Sequence, residues 1–448
     1  MKSASRTAWY TPHFKGKKIT VMGLGVLGRG VGDIAFLADQ GAHLLVTDVK
    51  SEEFLAGSLA KLKKYADIKY RIGSHDKKDF SASAADMILK AASVPLDSEF
   101  VLNAEAENVP IEMSAALLVD LAKKQFGDSV TVIGITGTRG KSTTTSLIEH
   151  ILKSAIADKK IHGHVHLAGN VRGVSNLPLL KKIKKGDYIV AELDSWQLQG
   201  FGTKKISPDI AVFTSFLDDH LNYYKGDREL YFNDKTHIFR ALGASVSASS
   251  RSGLFASPQA AKEIRKRFPK QKMIIGSSGS WADDFKTVLI GEHNMQNIRL
   301  AALVAEACGI SRPAIKKALG TALSEPGRLE YAGKIGSLHV YDDNNATSPD
   351  AVVAALDSLH KKYEKSGKKS PTNDIHIQLI MGGADKHLDL GKLRKSLSKF
   401  HPALTLIGGT GTDRLLKEMH AGKSAKKLAA TESETKPFDN FTAALESA

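Results

Sequence analysis

The chain has 448 residues, too many for one hydrophobic core of ordinary size, so we expect two or three domains. A single cysteine excludes a disulfide framework, and no apolar stretch reaches the length that spans a bilayer. The formal net charge of +15 favours an anionic small-molecule substrate over nucleic acid, because no aromatic-studded basic strand or zinc-knuckle spacing accompanies the lysines.

Alternating strand and helix patterns predict an α/β protein. We expect three domains, at residues 1–127, 128–325 and 326–448. The N-terminal residues are polar and basic without the apolar core of a signal peptide, so we expect a cytoplasmic protein, and a monomer. Cys308 ends an apolar helical pattern and is predicted to be buried rather than catalytic.

The first segment has the order strand, glycine turn, helix, strand and acidic residue. A strand pattern at 19–22 leads into Gly23-x-Gly25-x-x-Gly28, a helical stretch reaches residue 40, and a strand at 44–47 ends at Asp48. This order is typical of a Rossmann-like domain. The pattern alone leaves open a dinucleotide cofactor, a nucleotide-linked substrate, or packing without a ligand. The candidate contacts are Gly25, Val26, Leu27, Gly28 and Asp48.

The second segment begins with a strand pattern at 130–135, followed by a glycine-rich loop and a helix at 142–154. Such a turn directs backbone N–H groups and the positive end of the helix dipole at one point, where phosphate binds. The general P-loop pattern has a glycine where this chain has Ile135, so only the shorter form Gly-Thr-x-Gly-Lys-Ser-Thr is present. The candidate nucleotide contacts are Gly137, Thr138, Arg139, Gly140 and Lys141, with Ser142 or Thr143 as a Mg²⁺ ligand.

Further polar residues follow the strand patterns at 188–191 and 210–213, which predict a parallel sheet covered by helices. Glu192 closes the first strand, and His220 follows the second in Asp218-Asp219-His220. Because the carboxyl ends of parallel strands share one edge, Glu192 is expected to bind Mg²⁺ and His220 to contact metal or substrate. A purely structural histidine is the alternative.

Two later helical patterns carry further candidates. Lys235 lies among aromatic neighbours in a helix predicted at 229–242, where burial would depress its pKa and make the amine reactive. An ordinary surface lysine is the alternative. Asn294 and Asn297 open the helix predicted at 294–308, and their amides are candidates for holding a base or ribose. Helix capping by Asn294 is the alternative.

The third segment repeats the alternation, with strand patterns at 338–341, 377–380 and 404–407, and predicts a second Rossmann-like domain. Arg328 lies near its start, where it is placed to clamp a phosphate as domains close. Residues 342–347 and 382–386 each follow a strand and put polar side chains at one sheet edge, unless each is a simple turn. The lysine-rich stretch 361–373 is predicted to be a surface loop.

Together these motifs resemble the Mur ligase family over essentially the whole chain. The shorter phosphate loop, Glu192-Leu-x-Ser-Trp-Gln-Leu, Asp219-His220, His293-Asn294-x-x-Asn297 and Arg328 occur in the family's order. The glycine turn of the first segment, Ala-Thr-Ser-Pro at 346–349 and the motif at 382–389 are similar to the branch that adds D-glutamate.

The resemblance implies an ATP-dependent, amide-forming ligase of peptidoglycan synthesis. It implies that the carboxylate of UDP-N-acetylmuramoyl-L-alanine is activated as an acyl phosphate, that D-glutamate displaces phosphate, and that two Mg²⁺ ions neutralise the transferring group. The first domain would hold the uridine diphosphate. The implied roles are catalysis by Lys141, Glu192, His220 and Lys235; metal binding by Ser142, Thr143, Glu192, His220 and a carbamylated Lys235; ATP binding by Asn294, Asn297, Arg328 and Asp343; and substrate binding by Asn170, His220, Thr347 and Lys386.

Some positions depart from the family pattern. Arg139 stands where asparagine is common, Asp194 where serine is common, and Asn345 where a lysine often contacts D-glutamate. The chain ends in a helical pattern at 438–447, so we expect the family's closing strand and loop to be missing. The alternatives are another Mur ligase or a folylpolyglutamate synthetase, an NAD-dependent oxidoreductase with an added nucleotide domain, and an inactive nucleotide-binding scaffold.

Overall fold

The computed structural model describes residues 8–26, 28–220, 222–242, 252–279, 281–283, 289–364 and 375–420. Leu27 and the helical pattern at 438–447 lie outside these ranges. The strands are β1 Lys18–Met22, β2 His43–Asp48, β3 Lys69–Ile72, β4 Met87–Lys90, β5 Ile111–Glu112, β6 Thr131–Thr136, β7 Val165–Gly169, β8 Tyr188–Glu192, β9 Ile210–Phe213, β10 Gly253–Ala256, β11 Ile274–Ile275, β12 Glu330–Ile335, β13 Leu338–Asp342, β14 Gln378–Gly382 and β15 Ala403–Ile407.

The helices alternate with these strands through most of the chain. They are α1 Arg29–Asp39, α2 Glu52–Leu62, α3 Glu99–Ala106, α4 Ser114–Phe126, α5 Lys141–Ala157, α6 Ser195–Lys204, α7 Arg228–Arg240, α8 Pro258–Arg267, α9 Glu292–Ala307, α10 Arg312–Leu319, α11 Pro349–Glu364, α12 Gly391–Phe400 and α13 Thr410–His420. In the described ranges, no helix combines the length and the apolar character that crossing a membrane requires.

The first sheet is parallel, with the strand order β3-β2-β1-β4-β5. Strand β4 of this sheet begins at Met87. Asp86, directly before this strand, accepts a hydrogen bond from Lys18 N at its carboxylate and donates its own backbone N–H to Lys18 O, at 2.8 Å each. The carboxyl end of β1 delivers the glycine turn to α1.

The second sheet is also parallel, with the order β11-β10-β9-β6-β8-β7. Strand β6 lies between β9 and β8, and all six of its residues are buried. The loops that follow β6, β8 and β9 therefore leave the sheet side by side. The predicted α/β class with parallel sheets is confirmed.

The first two sheets share one hydrophobic core, which includes side chains of β1, β6 and the helix between the sheets. That helix, α4, has eight consecutive buried residues, as expected of a helix that is covered on all sides. Residues 1–286 and 296–322 accordingly form one compact unit.

Residues 287–295 and 323–448 form the second compact unit. Its described part contains the antiparallel pair β12–β13 and the parallel pair β14–β15, with a core of leucines from α11, α12 and α13. Helix α11 continues to Glu364, so the loop predicted at 361–373 is wrong for its first four residues. The helical repeat of apolar residues in α11 reaches Tyr363 and explains the extension. The domain boundaries at 127 and 325 remain predictions.

Candidate active site

The glycine-rich loop joins β6 to the N-terminus of α5. Gly137 has a φ of +147° and Gly140 a φ of +86°, which L side chains seldom adopt. A Cβ atom at Gly137 would lie 2.1 Å from Thr214 Oγ1, and one at Gly140 would lie 2.4 Å from Asn297 Oδ1. Both positions therefore require glycine. Ile135 is a fully buried residue of β6, so the turn begins only at Gly137 and has no need of the earlier glycine.

Polar residues after β9 hold this loop in place. Ser215 accepts a hydrogen bond from Thr138 N at its carbonyl and another from Arg139 N at its hydroxyl, each 2.8 Å long. Thr138 Oγ1 donates to Leu217 O over 3.0 Å. Ser215 is not among the residues predicted from the sequence, although it follows a predicted strand and carries the same sheet-edge signal as those that are.

Two lysine amines meet at one backbone carbonyl of the loop. Lys141 Nζ and Lys235 Nζ each donate to Gly137 O over 3.0 Å. Lys235 is 1% exposed, and burial, together with the nearby Lys141, holds its pKa well below the ordinary value. Burial lowers the pKa of Lys141 as well. Two amines this close concentrate positive charge, so a phosphate group would be stabilised beside them.

Glu192, the last residue of β8, lies beside the loop. It pairs in the sheet with Ile135 of β6 and with Gly169 of β7. Glu192 is 6% exposed, and its carboxylate opposes the effect of burial on the pKa of Lys141. Asn170, which follows β7, donates its backbone N–H to Glu192 O over 2.6 Å. The structure thus brings Asn170, Glu192 and Lys141 to one edge of the sheet.

His220 follows Asp219 on the loop after β9. Asp219 Oδ2 lies 3.9 Å from His220 Nε2 and 3.9 Å from a guanidinium nitrogen of Arg139, so it stands between the histidine and the phosphate loop. Burial lowers the pKa of His220, Asp219 opposes this, and Lys141 lowers the pKa further. The imidazole is therefore neutral near pH 7, the form that binds a metal ion. Its ring packs 4.7 Å from the ring of Trp196.

The oxygen donors suited to Mg²⁺ at this edge include the carboxylate of Glu192 and the hydroxyls of Ser142 and Thr143 in the first turn of α5. Within the part of the chain that the structure describes, no three His, Cys, Asp or Glu side chains form a group able to hold a metal. Mg²⁺ usually takes one or two carboxylates from a protein and its remaining ligands from phosphates and water. The donor set therefore fits a magnesium ion that is bound together with a nucleotide.

The glycine turn of the first sheet is tied to the end of β2. Asp48 Oδ2 accepts hydrogen bonds from Leu24 N (2.9 Å) and Gly25 N (3.2 Å), and Oδ1 accepts one from Lys50 N (3.0 Å). Gly28 precedes α1 with a φ of +81°. The predicted contacts that lie together at this edge are Gly25, Val26, Gly28 and Asp48.

The two predicted asparagines of α9 have different surroundings. The helix begins at Glu292, so Asn294 lies in its first turn rather than before it, and Asn294 Nδ2 donates to Ile290 O over 2.9 Å. Asn297 belongs to the first unit, where its Oδ1 accepts a hydrogen bond from Thr144 Oγ1 over 3.3 Å. Asn297 thus lies against the helix that follows the phosphate loop.

The second unit contains four further predicted residues. Asp343 Oδ1 accepts a hydrogen bond from Leu329 N over 2.8 Å. Burial raises the pKa of Asp343 to about 6, although the Leu329 N–H group and the nearby Arg328 oppose the shift. Arg328 and Asp343 are therefore neighbours. Thr347 and Lys386 are both exposed.

Residues 135–275 match the family model described as the Mur ligase middle domain. A curated relative, the UDP-N-acetylmuramoylalanine–D-glutamate ligase of Roseiflexus sp. (strain RS-1), is 30% identical, and the alignment covers 96% of this chain and 90% of the relative. The protein of the same name from Borreliella afzelii (strain PKo) is also 30% identical, over 90% of this chain and 85% of its own length.

Solved structures show the same fold. The UDP-N-acetylmuramate–alanine ligase of Thermotoga maritima has a TM-score of 0.54 and 18% identity, over 96% of this chain and 92% of that one. A UDP-N-acetylmuramoylalanyl-D-glutamyl-2,6-diaminopimelate–D-alanyl-D-alanyl ligase from Acinetobacter baumannii has a TM-score of 0.50 and 18% identity, over 90% and 82% of the two chains.

Proposed function

This chain belongs to the Mur ligase family, and we propose that it joins D-glutamate to UDP-N-acetylmuramoyl-L-alanine in an ATP-dependent reaction of peptidoglycan synthesis. The observation that carries the proposal is the phosphate loop at which Lys141 and Lys235 meet beside Glu192, in a chain that aligns with ligases of that name over most of its length. Family membership favours a nucleotide-linked substrate over an NAD cofactor at the first glycine turn.

The first chemical step forms an acyl phosphate. A carboxylate oxygen of the substrate attacks the γ-phosphorus of ATP, and the bond from that phosphorus to the bridging oxygen of ADP breaks. The N-terminus of α5, directly after the loop, and the Lys141 amine would bind the phosphates, because they concentrate positive charge there. Among the residues of the second unit, Asn294, Arg328 and Asp343 are proposed ATP contacts.

Glu192, the hydroxyl of Ser142 or Thr143, and neutral His220 would hold Mg²⁺, which supplies charge neutralisation for the phosphoryl group when bound. Lys235 is a proposed site of carbamylation. Its low pKa leaves a fraction of the buried amine neutral, and the neutral amine can attack carbon dioxide. The carbamate would replace a cation at the loop with an anion that binds metal.

In the second step the amine of D-glutamate attacks the acyl carbon and phosphate leaves. The glycine turn at 23–28, with Asp48, is the proposed site of the uridine diphosphate, and Asn170 and His220 are proposed contacts of the acceptor substrate. Thr347 and Lys386 are proposed contacts of the amino acid. A monomeric state remains a prediction.

Phosphate release measured with ATP, Mg²⁺ and UDP-N-acetylmuramoyl-L-alanine tests the proposal when single amino acids are compared. We expect stimulation by D-glutamate, and none by L-lysine, meso-diaminopimelate or D-alanyl-D-alanine. Stimulation by one of these three acceptors, without stimulation by D-glutamate, would assign the protein to another branch of the family. If none of the acceptors stimulates phosphate release while ATP still binds, the result would support the alternative that the protein is an inactive nucleotide-binding scaffold.

A further inference from the structure

Arg29 occupies the first position of α1, directly after the glycine turn. Its guanidinium Nη1 donates a hydrogen bond to Asn170 Oδ1, and its carbonyl accepts one from Ser175 Oγ over 2.9 Å. The side chain therefore extends from the first sheet to the loop after β7 in the second. Neither the family motifs nor the sequence pattern singles out this residue.

The hydrogen-bond partner of the guanidinium is a neutral amide, so this contact places no negative charge beside it. In the described residues, no carboxylate forms an ion pair with Arg29. The nearest acidic residue on the same helix is Asp33, whose Oδ1 accepts a hydrogen bond from Leu177 N over 2.8 Å instead. Burial raises the pKa of Asp33 to about 6, although Arg29 opposes the shift.

The helix dipole adds to this positive charge. The N-terminus of α1 carries partial positive charge, and the guanidinium stands at the same end of the helix. A half-buried arginine without an ion-pair partner, next to backbone N–H groups that face out of a helix, favours the binding of an anion beside it. A guanidinium fork matches phosphate oxygens in geometry as well as in charge.

We propose that Arg29 is a substrate-binding residue whose guanidinium, held by Asn170, binds the diphosphate of the UDP-linked substrate. The inference rests on the proposed function, because it takes the glycine turn as the site of a nucleotide diphosphate. The bond to Asn170 fixes the side chain in a bridging position, and Asn170 N in turn bonds Glu192 O. Arg29 thus links the diphosphate to the edge of the sheet where the phosphoryl group is transferred.

Binding of UDP and of uridine to the full chain, measured by calorimetry without ATP or amino acid, tests the inference. We expect Arg29→Ala to weaken UDP binding by about 10- to 100-fold, the usual effect of losing a charge-assisted hydrogen bond. Arg29→Lys should recover part of this loss, because it keeps the charge and loses the fork. Uridine, which has no phosphate, should bind the wild type and both variants equally.

Lys181→Ala is the matched control. Lys181 Nζ donates to Asp39 Oδ2 over 2.9 Å at the other end of α1, so this variant removes the same charge and another contact of the same helix. We expect it to leave UDP binding unchanged. In turnover assays Arg29→Ala should raise the KM for the UDP-linked substrate, with little change in kcat or in the KM for ATP.

Three results would overturn the inference. Equal UDP affinity of the wild type and Arg29→Ala would remove Arg29 from the site and leave the proposed function intact. Equal weakening of UDP and uridine would show a structural role. Failure of the wild type to bind UDP at all would contradict both this inference and the proposed substrate.

Discussion

At the scale of single residues, the charge of the central site depends on amines that gather at Gly137 O. Lys141→Ala removes one of them together with its contact to the nucleotide phosphates. We expect turnover to fall by about 100- to 1,000-fold, as when a donor to a developing negative charge is lost. Steady-state kinetics gives the ratio, and circular dichroism should show an unchanged fold.

Lys153→Ala is the control for Lys141→Ala. Lys153 lies on the same helix and pairs with Glu149 at the surface, with 60% of its side chain exposed. Its removal should leave turnover within a factor of about two, since its ion-pair partner is Glu149 and not a residue of the phosphate loop. Comparable losses of turnover in Lys141→Ala and Lys153→Ala would show that Lys141 has no specific role in the reaction.

Lys90, at the end of β4, gives a pH-dependent prediction. It is 2% exposed and donates to Val94 O over 2.6 Å, and burial lowers its pKa to about 8, although Asp234 and Asp194 oppose the shift. Below pH 8 the amine is protonated in both folded and unfolded chains, so the cost of burying the charge is fully present. Between about pH 8 and 10.4 the folded chain loses the proton first, and the cost disappears.

Over that pH range, the wild type should therefore gain up to about 3 kcal/mol in free energy of unfolding relative to Lys90→Met. Urea unfolding of both proteins at pH 7, 9 and 10 measures the difference. Parallel pH profiles would show that the amine is not desolvated in the folded protein.

The sequence could predict which residue types lie at the sheet edges, because Glu192, His220 and the phosphate loop each follow a recognisable strand. It could not predict contacts made across the fold. Arg29 and Asn170 are 141 positions apart in the chain, and nothing local in either stretch indicates that they meet. The role of Ser215 could have been predicted in part. Its position after a strand indicates that it lies at the sheet edge, but not that it bonds the phosphate loop.

At the scale of elements, α6 begins with a capping box. Asp194 accepts a hydrogen bond from Gln197 N over 2.8 Å, and the Gln197 side chain accepts one from Asp194 N over 3.4 Å. Asp194→Ala should lower the free energy of unfolding by about 1 kcal/mol. Asp194→Ser, which restores the residue common in the family, should retain most of the stabilisation that the cap provides. If urea unfolding shows the same loss of free energy of unfolding for Asp194→Ala and Asp194→Ser, the cap does not stabilise the helix.

The strands of the second sheet that flank the phosphate loop were the easiest to predict. Strands β6, β8 and β9 are buried throughout, so their sequences read as apolar runs. Strand β3 lies at a sheet edge with exposed and half-buried residues, and β12 has a mostly exposed pattern. Such strands carry no apolar run, because they have little surface to bury, and the sequence did not reveal them.

At the scale of the whole molecule, an ion-pair network joins the elements of the first unit. Lys204 of α6 bonds Glu112 of β5 over 2.8 Å and Asp120 of α4 over 3.1 Å, and all three side chains are less than 20% exposed. Lys204→Met should destabilise the protein by about 3 kcal/mol, because it leaves Glu112 without its cationic partner in a site shielded from water, while Asp120 keeps only its bond to Lys124.

Urea unfolding measures this loss, and Glu112→Gln in the same chain should recover part of it, since the uncompensated charge is reduced. Lys77→Ala is the control. Its partner is Glu99, and both side chains are about 60% exposed, so the loss should be below about 1 kcal/mol. A similar loss in the two single variants would contradict a shielded network.

In the proposed reaction the γ-phosphoryl group of ATP is transferred to the substrate carboxylate. UDP-N-acetylmuramoyl-L-alanine with both carboxylate oxygens labelled as ¹⁸O tests it, with D-glutamate as acceptor and mass spectrometry of the released phosphate. An acyl phosphate passes one carboxylate oxygen to phosphorus, so we expect inorganic phosphate that carries one ¹⁸O atom. Unlabelled phosphate, formed at the same rate as the amide product, would contradict it.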